Sequence, residues 1–280
     1  MTDLSPTPTP PLYTQNPLGR FSDRAHDYAR YRPSYPPEAI DLILQGLAPS
    51  SLLTVADIGA GTGISAQLLA ERGARVWAIE PNAAMRAAAI PGPLIPGPLI
   101  EFLEGTAEET GLPGQSVDLV LCCQSFHWFN QPVALAEFHR ILKPEGRVAL
   151  MWNDRNLADP FTQEFSEVLA KAADRQIYDR DDRKSGAILA SSSLFTNFRK
   201  QTLVHSHTLN LQGLTGLVLS SSYIPKTGEA YEQLMVDLQA LYQRWASHAD
   251  KPIVLSYQVK LFLADRAVLS EIATHALRKL

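Results

Sequence analysis

A doubly wound α/β fold, with a mostly parallel sheet and helices on both faces, is the class this sequence predicts. Short apolar runs near 52–58, 74–79, 98–103, 117–122 and 146–152 alternate with helix-forming stretches near 63–72, 82–89 and 131–142. That alternation is the rhythm of strand–helix–strand crossovers in a parallel sheet. The first run ends in the turn Asp57-Ile58-Gly59-Ala60-Gly61-Thr62-Gly63, which passes a buried strand into a helix. The second run delivers an acidic residue, Glu80, at the carboxyl end of its strand, where such sheets bind ligands. With 280 residues, 45% of them hydrophobic, the chain can bury one large core.

The remaining elements follow in order. Residues 1–20 open with Pro6, Pro8, Pro10 and Pro11 among threonines, without the basic-then-apolar order of a signal peptide, and are expected to form a disordered or extended leader. Within 21–50, Ser22 can cap a short helix to Tyr31 that Pro33 stops. A second helix over 38–47 places Ile40, Ile43, Leu44 and Leu47 on one face. Residues 51–264 form the main domain. Inside it, 91–100 is Pro-Gly-Pro-Leu-Ile written twice; proline and glycine at that density forbid a helix, so the helix after Glu80 must end by Ala89. The duplication reads as a surface connection, with a lid over the ligand as the functional alternative. Past Asn153 a helix is expected over 160–173, a charged loop over 179–184, a strand over 201–209 and a short helix over 213–223. Tyr231, Leu234, Met235, Leu238, Leu241, Tyr242 and Trp245 fall at steps of three and four, an amphipathic helix. Alternation over 253–263 gives a half-buried strand, and 265–280 a terminal helical extension. No second independent domain is visible.

The glycine spacing says what the turn holds. A carboxylate about 20 residues beyond such glycines suits a pair of ribose hydroxyls. A dinucleotide turn needs G-x-G-x-x-G to hold a pyrophosphate. Here the third glycine comes one position early, Ile64 stands where that pattern wants glycine, and Asp57 adds a negative charge. A cationic ligand with an adenosine end fits better: S-adenosylmethionine.

The D-x-G-x-G-x-G run, Glu80, Gly105-Thr106-Ala107-Glu108 and Asp118-Leu119-Val120 together resemble the Rossmann-type (class I) S-adenosylmethionine-dependent methyltransferases over about residues 52–153. The stretch from Phe21 to Pro33 and the run Ser125-Phe126-His127-Trp128-Phe129 resemble the methyltransferase type 11, trans-aconitate methyltransferase-like branch, which acts on small molecules. The resemblance implies a seven-stranded sheet whose last two strands form an antiparallel pair at one edge. It implies that Asp57, Gly59, Ala60, Gly61, Thr62 and Gly63 surround the methionine end of the cofactor, and that Glu80 holds the ribose. Pro81, Asn82 and Met85 would lie by the adenine, with Thr106, Ala107 and Glu108 at its edge and Gln124 and Ser125 near the donor. Many relatives have aspartate where this chain has Thr106; Glu108 is the replacement acceptor, or else caps the following turn. Residues 21–50 become a helical cover in which Tyr28, Tyr31, Arg32 and Tyr35 face the cofactor or substrate. Arg32 would pair with the donor's carboxylate, with an acidic substrate, or with a surface carboxylate. His127 and Trp128 reach the substrate side, His127 as general base, as an orienting group, or as a packed histidine.

Composition narrows the partners. Twenty-five basic against 29 acidic residues, a formal net charge of −4, argues against nucleic acid, whose phosphates call for a basic stripe. The two cysteines, Cys122 and Cys123, are adjacent on a strand, so they point to opposite faces and cannot staple the fold. They offer no metal spacing and suit a reducing cytoplasm. No apolar run reaches the roughly 18 residues of a membrane span, so a soluble, cytoplasmic enzyme acting on a small-molecule acceptor is expected. Two other classes share parts of this pattern. One is a cofactor-binding module without turnover; the other is a nicotinamide-dependent oxidoreductase, which Ile64 and Asp57 oppose.

Overall fold

The computed structural model describes residues 10–16, 19–89, 99–179, 185–246 and 251–268. Seven strands, β1 (Thr54–Ile58), β2 (Arg75–Ile79), β3 (Ile100–Leu103), β4 (Val117–Cys123), β5 (Leu142–Arg155), β6 (Phe195–Leu209) and β7 (Ile253–Arg266), form one sheet in the order β3-β2-β1-β4-β5-β7-β6. The pairings from β3 through β5 are parallel, and β7 runs antiparallel to both β5 and β6. The helices are α1 (Ala25–Tyr31), α2 (Pro37–Leu44), α3 (Ile64–Ala70), α4 (Ala83–Ala87), α5 (Gln131–Ile141), α6 (Pro160–Ala172), α7 (Arg175–Tyr178), α8 (Ala187–Ser191), α9 (Leu211–Leu219) and α10 (Glu229–Trp245). This is the doubly wound seven-stranded sheet with an antiparallel edge pair.

Strand alternation sorts the core onto two faces. Val55, Leu119, Leu121, Cys123, Ala149 and Met151 pack with α2 and α3 on one side. Ala56, Ile58, Val120, Cys122, Leu150 and Trp152 pack with Phe138 of α5 on the other. The two cysteines divide between the faces, both buried and unbridged. A third cluster joins Phe161 and Phe165 of α6, Leu214 and Leu217 of α9 and Leu238 of α10 beyond the end of β5. The buried guanidinium of Arg24 ties the N-terminal segment to this layer, donating to the carbonyls of Leu219 and Ile224 at 2.7 Å and of Ser221 at 2.8 Å.

Several boundaries differ from expectation, each for a local reason. Residues 50–52 make a tight 3-10 turn, so β1 begins at Thr54. β6 begins at Phe195, because left-handed Asn197 breaks the ladder between Thr196 and Arg199 and hides the alternation. The leader is not disordered throughout: Leu12–Thr14 form a 3-10 turn whose Leu12 is buried with Trp128 and Ile177. A helix does not start at 265; β7 continues to Arg266, held where Asp265 pairs with Arg147 at 3.0 Å and Arg199 at 2.9 Å. Residues 269–280 of that extension, most of the Pro-Gly-Pro-Leu-Ile duplication, most of the 179–184 run and residues 1–9 lie outside the described residues. No helix among the described residues is long and apolar enough to cross a membrane.

Candidate functional site

β1 and β4 are neighbours from which the chain winds in opposite directions, so their carboxyl ends open a crevice at the topological switch point. Two adjoining cavities occupy it. The first, about 370 Å³, is bounded by the glycine turn, Glu80, the 106–108 segment and the 123–130 loop. The second, about 110 Å³, lies between α1, the end of β5, α6 and α9. Phe21, Tyr28, Gln124 and Trp128 line both and form the partition.

The glycine turn is shaped for close approach. Gly59 and Gly61 hold φ of +65° and +60°, and both line the first cavity. A Cβ on Gly59 would meet Ser125 Cβ at 2.7 Å, and one on Gly61 would meet the Met85 methyl at 3.2 Å. Side chains are therefore excluded by conformation as well as by space. Four of the turn's amides are occupied within the protein. Gly59 and Ala60 donate to the Ile79 carbonyl at 2.8 and 3.1 Å, Gly63 to Ala60 at 2.9 Å, and Gly61 to Glu80 Oε2 at 2.9 Å. A pyrophosphate would find carboxylates here in place of donors, which opposes the dinucleotide reading.

Glu80 accepts from Gly61 through one oxygen and from Asn82 N–H through the other, at 2.9 Å each. An ionised carboxylate offers about four accepting directions, so roughly two remain for ligand hydroxyls. Burial raises its pKa, opposed by those two amides and by Arg86. Asp57 lies buried beneath the turn, not on the cavity wall. Its Oδ2 accepts from Ser65 at 2.7 Å, and its buried Oδ1 has no partner among the described residues. Burial raises its pKa to about 7, against the hydrogen bonds from Ser65 and Ala66.

The other anticipated residues divide. Pro81, Asn82, Met85, Thr106, Ala107 and Glu108 line the first cavity, as do Gln124 and Ser125. Asn82 also caps α4, accepting from Ala84 and Met85. Glu108 accepts from Asn130 N–H at 2.6 Å, so it caps the start of α5 while still facing the cavity. Ser125 is anchored by donating to the Ile58 carbonyl at 2.8 Å, and Gln124 takes a left-handed φ of +59°. Strained backbone of that kind gathers at functional sites. Ala60, Thr62 and Gly63 do not line the cavity: a Cβ on Gly63 would strike Phe102 at 2.9 Å, and Thr62 is fully buried.

Of the cover residues, Tyr28, Arg32 and Tyr35 line the second cavity, with Tyr28 reaching the first as well. Tyr31 lines neither cavity; its ring lies against Gly216 of α9. Arg32 is not a surface residue paired with a carboxylate: it donates to the Ser220 carbonyl at 3.0 Å and Ser221 Oγ at 3.1 Å and stacks over Tyr28. His127 lines the second cavity, and its Nδ1 accepts from the indole N–H of Trp152 at 3.3 Å. Since indole only donates, the neutral ring carries its proton on Nε2. This tautomer puts an N–H on Nε2, which suits the orienting role among those anticipated for His127. The sequence reading missed Tyr13, Phe21, Phe129 and Asn130 in the first cavity and Asn153, Arg155, Phe165, Tyr223 and Tyr257 in the second. Asn153 and Arg155 were findable, because they end β5 on the ligand edge of the sheet.

A switch-point crevice with a strand-end carboxylate and a glycine turn whose Gly59, Ala60, Gly61 and Gly63 amides are spent within the protein is the arrangement of a class I methyltransferase. Residues 56–150 match the family model described as a methyltransferase domain. The chain is 36% identical over 206 residues to an uncharacterized methyltransferase of Mycobacterium tuberculosis (strain H37Rv), spanning 72% of this chain and 76% of that protein. It is 29% identical over 199 residues to an uncharacterized methyltransferase of Schizosaccharomyces pombe, covering 69% and 78% respectively. Among solved structures, a putative type II methyltransferase from Anaeromyxobacter dehalogenans superimposes with a TM-score of 0.60 at 17% identity, covering 84% of this chain and 98% of that one. A Haemonchus contortus phosphoethanolamine N-methyltransferase, in complex with phosphomonomethylethanolamine and S-adenosylhomocysteine, gives 0.51 at 16% identity over 92% of this chain and 59% of that one. The chain belongs to the S-adenosylmethionine-dependent methyltransferases.

Proposed function

We propose that this methyltransferase transfers a methyl group to a small-molecule acceptor, with the donor in the first cavity and the acceptor in the second. The observation that carries this reading is the partition: two cavities of about 370 and 110 Å³ meet at Phe21, Tyr28, Gln124 and Trp128. The larger is of ordinary ligand-site size, and the smaller suits a metabolite better than a polymer. The likeness of 21–33 and 125–129 to the small-molecule branch supports the same reading.

The residues fit the donor. Gly59 and Gly61 clear the space for its methionine end, Glu80 accepts from its ribose, and Met85 and Pro81 offer apolar surface to its adenine. The carboxylate of Glu80, on the cavity wall, supplies negative charge beside a ligand whose sulfonium and ammonium are positive. When bound, S-adenosylmethionine supplies a methyl on a cationic sulfur that a nucleophile displaces directly. The chain then aligns the nucleophile and excludes water, effects worth roughly 7–11 kcal/mol in favourable cases. Phe21, Tyr28 and Trp128 close the partition with edge-on aromatic contacts at centroid distances of 6.2 and 5.8 Å. His127, on the wall of the second cavity, orients the acceptor.

Incubation with methyl-labelled S-adenosylmethionine and a metabolite extract tests the proposal. Label should enter a low-molecular-mass product. Binding of S-adenosylhomocysteine with no transfer to any metabolite would favour a silent binding module instead.

A further inference from the structure

One wall of the first cavity comes from outside the sheet and its crossovers. Tyr13 lines that cavity and is 42% exposed, so it stands between the cavity and solvent. It sits in the 3-10 turn Leu12–Thr14, which the chain enters through Pro11 in extended conformation. The turn is closed locally. Thr14 donates to the Pro11 carbonyl through its N–H at 3.1 Å and its hydroxyl at 2.7 Å, and Gln15 N–H donates to the Leu12 carbonyl at 3.0 Å. Pro10 and Pro11 restrict the chain before it is ordered, which lowers the entropy cost of holding so short a turn. Leu12 is the buried residue of the 10–16 segment, and it packs with Trp128 of the partition and Ile177 of α7. Arg20 completes the seat: its Nε donates to the Gln15 carbonyl at 2.8 Å, and its Nη1 pairs at 3.5 Å with Asp174, the cap of α7.

A short segment anchored by a single leucine buries little apolar surface, so it can unseat without opening the core of the sheet. A ligand held beneath it adds contacts that only the seated state makes, and so shifts the population toward that state. We propose that residues 10–16 are a strap over the donor cavity: the Tyr13 ring contacts the cofactor and shuts out water, and Leu12 is a positioning residue that seats the strap on Trp128. This rests on the first cavity being the donor site. Trp128 lines both cavities, so the seated strap also steadies the wall that the acceptor meets. Donor loading and completion of the acceptor's wall are thereby linked through one side chain.

The test follows S-adenosylhomocysteine on the full chain by calorimetric affinity, by dissociation rate in stopped flow, and by chymotryptic cleavage after Tyr13. Saturating ligand should slow that cleavage about tenfold or more, since cleavage tracks the population of the open form. Tyr13→Ala should weaken binding several-fold and speed dissociation; its exposure leaves the fold intact, which an unchanged Tm of the ligand-free protein checks. Tyr13→Phe keeps the ring and should bind within about threefold of wild type. Leu12→Ala should speed dissociation as Tyr13→Ala does, and Leu12→Met, which refills the seat, should restore the slow rate. Cleavage that ligand does not slow, or a Tyr13→Ala variant that binds and releases like wild type, overturns the proposal. So does a Leu12→Ala variant that melts earlier yet releases ligand at the wild-type rate, because Leu12 then serves the fold alone. Failure of the wild-type chain to bind S-adenosylhomocysteine would break the donor-site reading and the strap with it, whereas normal binding indifferent to Tyr13 removes the strap alone.

Discussion

At Glu80, two backbone amides already occupy part of the carboxylate's accepting capacity. Its removal would loosen the glycine turn as well as strip the ribose contact, so alanine is a poor probe. Glu80→Gln keeps the shape, and it should weaken S-adenosylhomocysteine binding by about 1.5–3 kcal/mol, the worth of hydrogen bonds to a charged group. Unchanged affinity by calorimetry would return Glu80 to a purely structural role. His127→Gln retains a side-chain N–H donor, so transfer should fall less than tenfold. A base would be missed by about 10²–10⁴-fold, and a loss of that size would support the general-base role. Asp57 makes a pH prediction. Its folded pKa of about 7 exceeds its ordinary 3.8, so between those values the native state holds the proton more tightly than the unfolded chain. Asp57's own contribution to the stability of the ligand-free protein is then fully present below about pH 4 and is lost as pH rises through about 7. Asp57→Asn should flatten the Tm-against-pH curve over that window; an unaltered slope would show that Asp57 is not its source.

At the scale of elements, the turn between β1 and α3 and the tie between the N-terminal segment and α9 do separate work. Gly61→Val places a branched side chain at φ +60° with the Met85 methyl 3.2 Å from its Cβ. Binding of S-adenosylhomocysteine should drop below detection while circular dichroism stays near wild type. Arg24→Met abandons three carbonyls of the α9–α10 connection and should cost at least about 2 kcal/mol in urea denaturation, since each such bond to a charged donor is worth roughly 1.5–3. The first of these tests was designable from the sequence and the second was not. Gly59, Gly61 and Glu80 lie in a short span whose strand–turn–helix–strand order is local. Arg24 meets partners some 195–200 positions away, and nothing near it in the chain announces them. The same reason hid Tyr223 and Tyr257, which reach the second cavity from elements placed by tertiary packing. His127 was visible as a candidate, but its role turns on Trp152, 25 residues on. Strand boundaries slipped where a left-handed residue or a 3-10 turn interrupted an alternation that propensity alone would continue.

For the whole molecule, the sheet order sets the function. Reversal of winding between β1 and β4 opens the crevice, and the insertions carrying α6 and α9 roof the side toward β5, so two cavities abut at Tyr28 and Trp128. A crystal structure with S-adenosylhomocysteine tests this arrangement most directly. The adenosine should lie in the first cavity with both ribose hydroxyls on Glu80, the methionine end beside Gly59 and Gly61, and the sulfur directed past Tyr28 toward Arg155's cavity. A ligand bound elsewhere, or seated in the crevice with its sulfur turned away from the second cavity, would contradict it.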